Sequence, residues 1–105
     1  MKIVTAYVRT ERAAQLMSEL YHAGVGGLSA YIVRGMSGET STFLYSKHPF
    51  EPSHLPETLK VEVVCEEEAV DKIVELIVRE AKTGAPGDGI IAIQAVEQVR
   101  RIREM

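Results

Sequence analysis

Val70, Ile73, Val74, Ile77, Val78 and Ala81 fall at i, i+3, i+4, i+7, i+8 and i+11 without a miss. That rhythm belongs to an α-helix with one apolar stripe. Such a stripe has to be buried, and the flanking residues supply partners. Upstream, Leu59, Val61, Val63 and Cys65 alternate with Lys60, Glu62 and Val64, giving a strand over residues 59–65 with one buried face. Downstream, residues 89–95 (GIIAIQA) read as a second strand. Glu66, Glu67 and Glu68 stand where a helix N-terminus favours negative charge, so they read as dipole partners and not as catalytic acids.

The first part of the chain repeats this order. Residues 2–9 (KIVTAYVR) read as an inner strand, apolar on both faces. Thr10 can cap a helix whose apolar positions are Ala13, Leu16, Met17, Leu20 and Tyr21, closed by Gly24. Residues 28–35 then place Leu28, Ala30 and Ile32 on one side of a strand and Ser29, Tyr31 and Val33 on the other. Two βαβ units in this order imply an α+β, ferredoxin-like sandwich: a four-stranded antiparallel sheet with two helices on one face. Tyr7, Val33 and Val64 can point to the other face, and an oligomer is its simplest cover.

Between the units, residues 36–58 lose all periodicity. They carry Ser37, Gly38, Thr40, Ser41 and Thr42, then Pro49, Pro52 and Pro56, and are too long for an ordinary connection. A functional or mobile loop is expected there. Phe43-Leu44-Tyr45 within it reads either as an arm that anchors a partner or as a staple that holds the loop down. His48 and His54 lie six apart around Glu51. Metal ligation by these three lacks tight ligand spacing, and solvated surface histidines are the preferred reading.

The connection from the striped helix to the last strand is Thr83-Gly84-Ala85-Pro86-Gly87-Asp88-Gly89, with three glycines and a proline in seven residues. Its backbone can take positive φ and present N–H groups to a phosphate, although a Gly-rich loop between a helix and a strand is more often plain turn chemistry. Arg100, Arg101 and Arg103 follow within the last six positions, and their planar donor forks suit phosphate. A basic tail can also complement a helix end, or pair with Glu97 and Glu104. The net charge of −3 makes any anion site local, and argues against general nucleic-acid binding or direct membrane insertion.

At 105 residues the chain fits one domain. The single Cys65 cannot form an internal disulfide and reads as a small buried hydrophobe, which suits a reducing compartment. The first residues are strand-like, with no basic segment followed by an apolar one, and a cytoplasmic protein is expected.

In combination these features resemble the nitrogen-regulatory PII signal-transduction proteins. The resemblance is carried by A-K-T-G-x-x-G-D-G-I from Ala81, V-x-R-I-R from Val99, K-x-E-V-V from Lys60 and G-V-x-G-L-S from Gly24, and it spans nearly the whole chain. It implies a single PII-like domain over residues 1–105, a T-loop-like segment at 36–58 and a basic tail at 96–105. It further implies a homotrimer with an adenine-nucleotide site in each cleft between subunits. By this likeness the adenine lies near Ser29 and Val64, and Gly35, Gly87, Asp88 and Gly89 also belong to the nucleotide site, with Arg101 and Arg103 on the phosphates. No cofactor is required and no catalytic or metal residues are implied.

Departures from the family pattern refine the expectation. Members that sense ATP usually carry a lysine directly after G-D-G, where this chain has Ile90; Glu39 and Thr58 stand where the family holds 2-oxoglutarate with a glutamine and a lysine. An aliphatic side chain offers a β- or γ-phosphate neither charge nor donors, and a carboxylate repels a dicarboxylate. The expected protein is therefore a regulator, not an enzyme, that binds ADP, AMP or a cyclic adenine nucleotide in preference to ATP with 2-oxoglutarate. Its long loop is expected to control a protein target such as a membrane transporter. Tyr45 is not expected to be a modification site. Two alternatives are a metal-binding trimer of related architecture using His48, His54 and Cys65, and a small acylphosphatase-like hydrolase. The hydrolase would need a water-positioning asparagine, and the chain contains no Asn.

Overall fold

The computed structural model describes residues 1–35 and 51–105. Four strands, β1 (Lys2–Val8), β2 (Gly27–Arg34), β3 (Glu57–Cys65) and β4 (Gly89–Ala95), form one sheet in the order β2-β3-β1-β4. Every neighbouring pair is antiparallel. With α1 (Ala13–His22) and α2 (Val70–Ala81), the architecture is the ferredoxin-like one.

The register shows why the sheet has one helix face. Val4 stands opposite Val63, Ala6 opposite Val61 and Val8 opposite Leu59, and all six are buried. They form the core with Leu16 and Leu20 of α1 and Ile73, Leu76, Ile77 and Ala81 of α2. Burying a Leu or Ile side chain contributes about 1.5–3 kcal/mol, so this shared core, formed by residues from both βαβ units, holds them as one body.

The other face is mixed rather than apolar. Its rows read Ile90–Tyr7–Lys60–Tyr31, then Ala92–Thr5–Glu62–Ser29, then Gln94–Ile3–Val64–Gly27 across the four strands. Tyr7, Val33 and Val64 do point there. Lys60 Nζ lies 5.6 Å from the centroid of the Tyr7 ring and 5.3 Å from that of Tyr31. It also sits 3.3 Å from Glu62 Oε1, which accepts a hydrogen bond from the Tyr31 hydroxyl at 3.3 Å. The Tyr31 hydroxyl and the Glu62 carboxylate push the Lys60 pKa above the ordinary lysine range.

Three local expectations change. α2 is rolled about its axis relative to the stripe read from sequence: Leu76 is buried and Val78 is 41% exposed. Leu76 shares a flank with Arg79, whose Nη2 lies 3.6 Å from Glu19 Oε2 of α1, so this flank is covered by the neighbouring helix. Val78 faces the opposite flank, above edge strand β4, where no further strand follows. Secondly, β3 starts at Glu57, so Glu57 and Thr58 belong to the sheet and not to the loop. Arg34 Nη2 bonds Glu57 Oε1 at 3.1 Å and the Thr58 hydroxyl donates to the Val8 carbonyl at 2.8 Å, which extends the ladder beyond its apolar part. Thirdly, Thr10 does not cap α1: it opens a 3-10 turn, Thr10–Arg12, and its hydroxyl bonds Glu11 instead.

Phe43-Leu44-Tyr45, Glu39 and His48 lie outside the described residues. Among the described residues no group of three or more His, Cys, Asp or Glu could hold a metal ion, and no helix is long and apolar enough to cross a membrane. Burial and neighbouring Glu66 push the Cys65 thiol up, away from the reactive thiolate.

Candidate functional site

The loop between α2 and β4 is built around one carboxylate. Asp88 Oδ2 accepts from the N–H of Thr83 at 2.7 Å and of Gly84 at 2.8 Å, and Oδ1 accepts from the Thr83 hydroxyl. That hydroxyl in turn accepts from the Ala85 N–H at 3.2 Å. The amides of the first half of the loop are thus engaged within it. Donation from the Thr83 hydroxyl, and then from the backbone, holds the Asp88 carboxyl far below the usual carboxylate range.

Arg9, just past the end of β1, closes the loop from outside. Its Nη2 donates to the Pro86 carbonyl at 2.8 Å and its Nε lies 3.4 Å from Asp88 Oδ1. Gly84, Gly87 and Gly89 all take positive φ, as such a loop requires. At Gly89, with φ 118°, a Cβ would stand 1.7 Å from the Tyr7 carbonyl oxygen. The close approach that only glycine allows is therefore to the protein's own β1 backbone.

The residues expected in the nucleotide site fall into two sets. Gly35, just beyond β2, donates its N–H to the Pro56 carbonyl at 3.0 Å, at the sheet end where Val8 pairs with Gly89. Gly87, Asp88 and Gly89 lie at this same end. Val64 lies at the other end, opposite Ile3. From the Ile3 row to the Val8 row is five residues of β1, about 17 Å at the rise of a strand. Ser29 sits on the open face, in the row of Thr5 and Glu62.

Part of the expected site borders two clefts, while Ser29, Gly35, Gly87 and Arg103 line neither. Asp88, Gly89 and Ile90 line one of about 200 Å³ together with Tyr7, Val78 and Lys82. Val64 and Arg101 line one of about 290 Å³ with Gly24, Gly26, Cys65 and Lys72. The two clefts share no residue. Arg101 ends an extended segment, and Arg103 lies in the 3-10 turn Ile102–Glu104. Among the described residues neither guanidinium has a carboxylate partner, so pairing with Glu97 or Glu104 does not account for them. Arg100 instead bonds Gln98 at 2.9 Å.

Two positions carry more than the sequence reading assigned to them. Asp88 shapes the loop with both oxygens, and Arg9 was not singled out at all. Its signal was present: an arginine directly after the first strand must lie beside whatever precedes an antiparallel last strand.

The whole chain, residues 1–105, matches the family model described as nitrogen regulatory protein P-II. Nitrogen regulatory protein P-II 2 of Methanothermobacter thermautotrophicus is 38% identical over 104 residues, covering 98% of this chain and 90% of that protein. Nitrogen regulatory protein P-II of Microchaete diplosiphon is 39% identical over 106 residues, covering 98% and 92%. The protein of the same name from Pyropia yezoensis is 32% identical with the same coverage. With the sheet order, the paired helices and the glycine loop in place, this chain belongs to the PII family of nitrogen regulatory signal-transduction proteins.

Proposed function

We propose that the protein binds an adenine nucleotide with few phosphates, ADP, AMP or a cyclic form, in clefts between the subunits of a homotrimer. Nucleotide occupancy acts through the long segment after β2 and so controls a partner protein, such as a membrane transporter. The observation that carries this reading is the division of the expected site into two half-sites at opposite ends of one sheet. Gly35 and the glycine loop stand at one end and Val64 with Arg101 at the other, with no shared cleft. In a ring of identical chains, a head-to-tail interface sets one half against the complementary half of the next chain. The mixed open face of the sheet, with its exposed Tyr31 and Ile90, supplies surface for such an interface.

Phosphate number follows from charge. Each added phosphate needs donors or cations, and at the loop end Ile90 is 59% exposed and offers neither. For 2-oxoglutarate, Thr58 brings no charge to meet a carboxylate, and its hydroxyl donates to the Val8 carbonyl. Lacking one charged partner removes about 1.5–3 kcal/mol, ten- to a hundredfold in affinity. Isothermal titration is expected to show ADP or AMP binding at least as tightly as ATP, and Ile90→Lys is expected to favour ATP selectively. Much tighter binding of ATP with Mg²⁺ and 2-oxoglutarate than of ADP or AMP contradicts this choice of ligand.

A further inference from the structure

We infer that Arg9 is a positioning residue for the glycine loop, setting phosphate affinity through Asp88 and Pro86 without itself being a ligand of the nucleotide. This rests on the nucleotide-binding reading above. The loop is far from Arg9 in sequence, yet Arg9 grips it at two points. Nη2 holds the Pro86 carbonyl at 2.8 Å, and Nε faces Asp88 Oδ1 at 3.4 Å. Those two points lie on either side of Gly87 in the chain.

Asp88 ties the start of the loop to its end, through Thr83 and Gly84. Arg9 fixes the result to the sheet. It follows β1 directly, and Val8 pairs with Gly89 at the first position of β4. The guanidinium therefore references the loop to the strand beside which the loop must enter the sheet. A flexible glycine-rich loop has to be ordered before its backbone can meet a phosphate, and an ordering contact made in the free protein removes that entropy from binding. The Arg9 side chain is part-buried, at 31% exposure, and faces the loop's own acceptors, so its donors on that side are engaged before any ligand arrives. A lysine has one charged centre and no planar fork, and cannot reach both acceptors in the same way.

The test uses the full chain and three probes, ADP, AMP and adenosine, with amide hydrogen exchange of Thr83 and Gly84 measured in the unliganded protein. Arg9→Ala is expected to speed exchange at both amides and to weaken ADP about tenfold, as loss of a charge-assisted contact does, while adenosine is unchanged. Arg9→Lys is expected to restore little of either effect. In an Asp88→Ala background the further loss on removing Arg9 is expected to shrink, because the two act through one loop. Equal weakening of ADP and adenosine marks a general structural defect and overturns the inference. So does faster exchange without a change in ADP affinity, and an undiminished Arg9 effect in the Asp88→Ala background marks a direct phosphate ligand instead. If the wild-type chain binds none of the three probes, the nucleotide reading itself fails, and the positioning role falls with it. Failure of the positioning role alone shows as a wild-type chain that binds ADP and an Arg9→Ala chain that binds it equally.

Discussion

The glycine loop and the C-terminal tail occupy opposite ends of the same sheet and are built on opposite principles. The loop is satisfied internally: its carboxylate takes three donors from its own residues, Arg9 clamps it, and Gly89 seats it against the β1 backbone. The tail has no regular structure from the end of β4 to the 3-10 turn Ile102–Glu104, Ile102 is 91% exposed, and neither Arg101 nor Arg103 has a carboxylate partner among the described residues. One end is finished within a single chain. The other presents apolar and cationic groups that a folded chain retains at low cost when a second surface or an anion meets them. Changes in the loop should therefore act on folding and on binding together, and changes in the tail on binding alone.

The largest expected effect is at Gly89. Alanine there must displace either the Tyr7 carbonyl or the start of β4, and it also occupies a φ of 118° that L-residues avoid. We expect Gly89→Ala to lower stability by about 3 kcal/mol, read by denaturant unfolding. A loss within about 0.5 kcal/mol, the range of an ordinary surface change, would show that the loop is less tightly seated than its geometry states.

Next in size is the tail. Arg103→Ala is expected to weaken every phosphorylated adenine ligand by about tenfold or more, with adenosine affected far less. The unfolding midpoint should stay in place, since among the described residues the guanidinium holds no other group. A shift in midpoint as large as the change in binding would erase the contrast between the two ends.

The smallest effect is one of pH. Asp88 is held below the ordinary carboxylate range by Thr83, Gly84 and Arg9. A depressed pKa means that the folded state binds the proton less readily than the unfolded one. Its contribution is then complete above a pH of about 4 and declines as pH falls below it. In denaturant unfolding, the stability lost on acidification below that point should be larger in the wild type than in Asp88→Ala.

How far these properties were legible from sequence depends on whether a residue's partner is near in the chain. The alternation of Leu59, Val61, Val63 and Cys65 and the stripe of α2 report burial directly, and so the strands, helices and sandwich follow from them. The roll that buries Leu76 and exposes Val78 depends on where α1 lies, and no periodicity within α2 carries that. Glu57 and Thr58 lack an apolar signal after Pro56, and their place in β3 comes from contacts with Arg34 and Val8, distant in sequence. The glycine loop was recognisable as a loop with positive φ. That Asp88 faces inward, and that Gly89 answers to Tyr7 rather than to a ligand, required the register between β1 and β4. Glu39, His48 and Phe43-Leu44-Tyr45 lie outside the described residues.

In the proposed assembly, one nucleotide site takes its loop from one chain and its arginines from the next. The most direct measurement mixes two defective chains, Arg101→Ala with Arg103→Ala in one and Asp88→Ala in the other, unfolded together and refolded as a mixed assembly. Each alone should bind ADP weakly. In the equal mixture, about a quarter of the clefts combine an intact loop with an intact tail if chains assort at random, and ADP should bind these with wild-type affinity. No recovery in a mixture shown to have exchanged subunits would place both halves of the site within one chain and contradict the account.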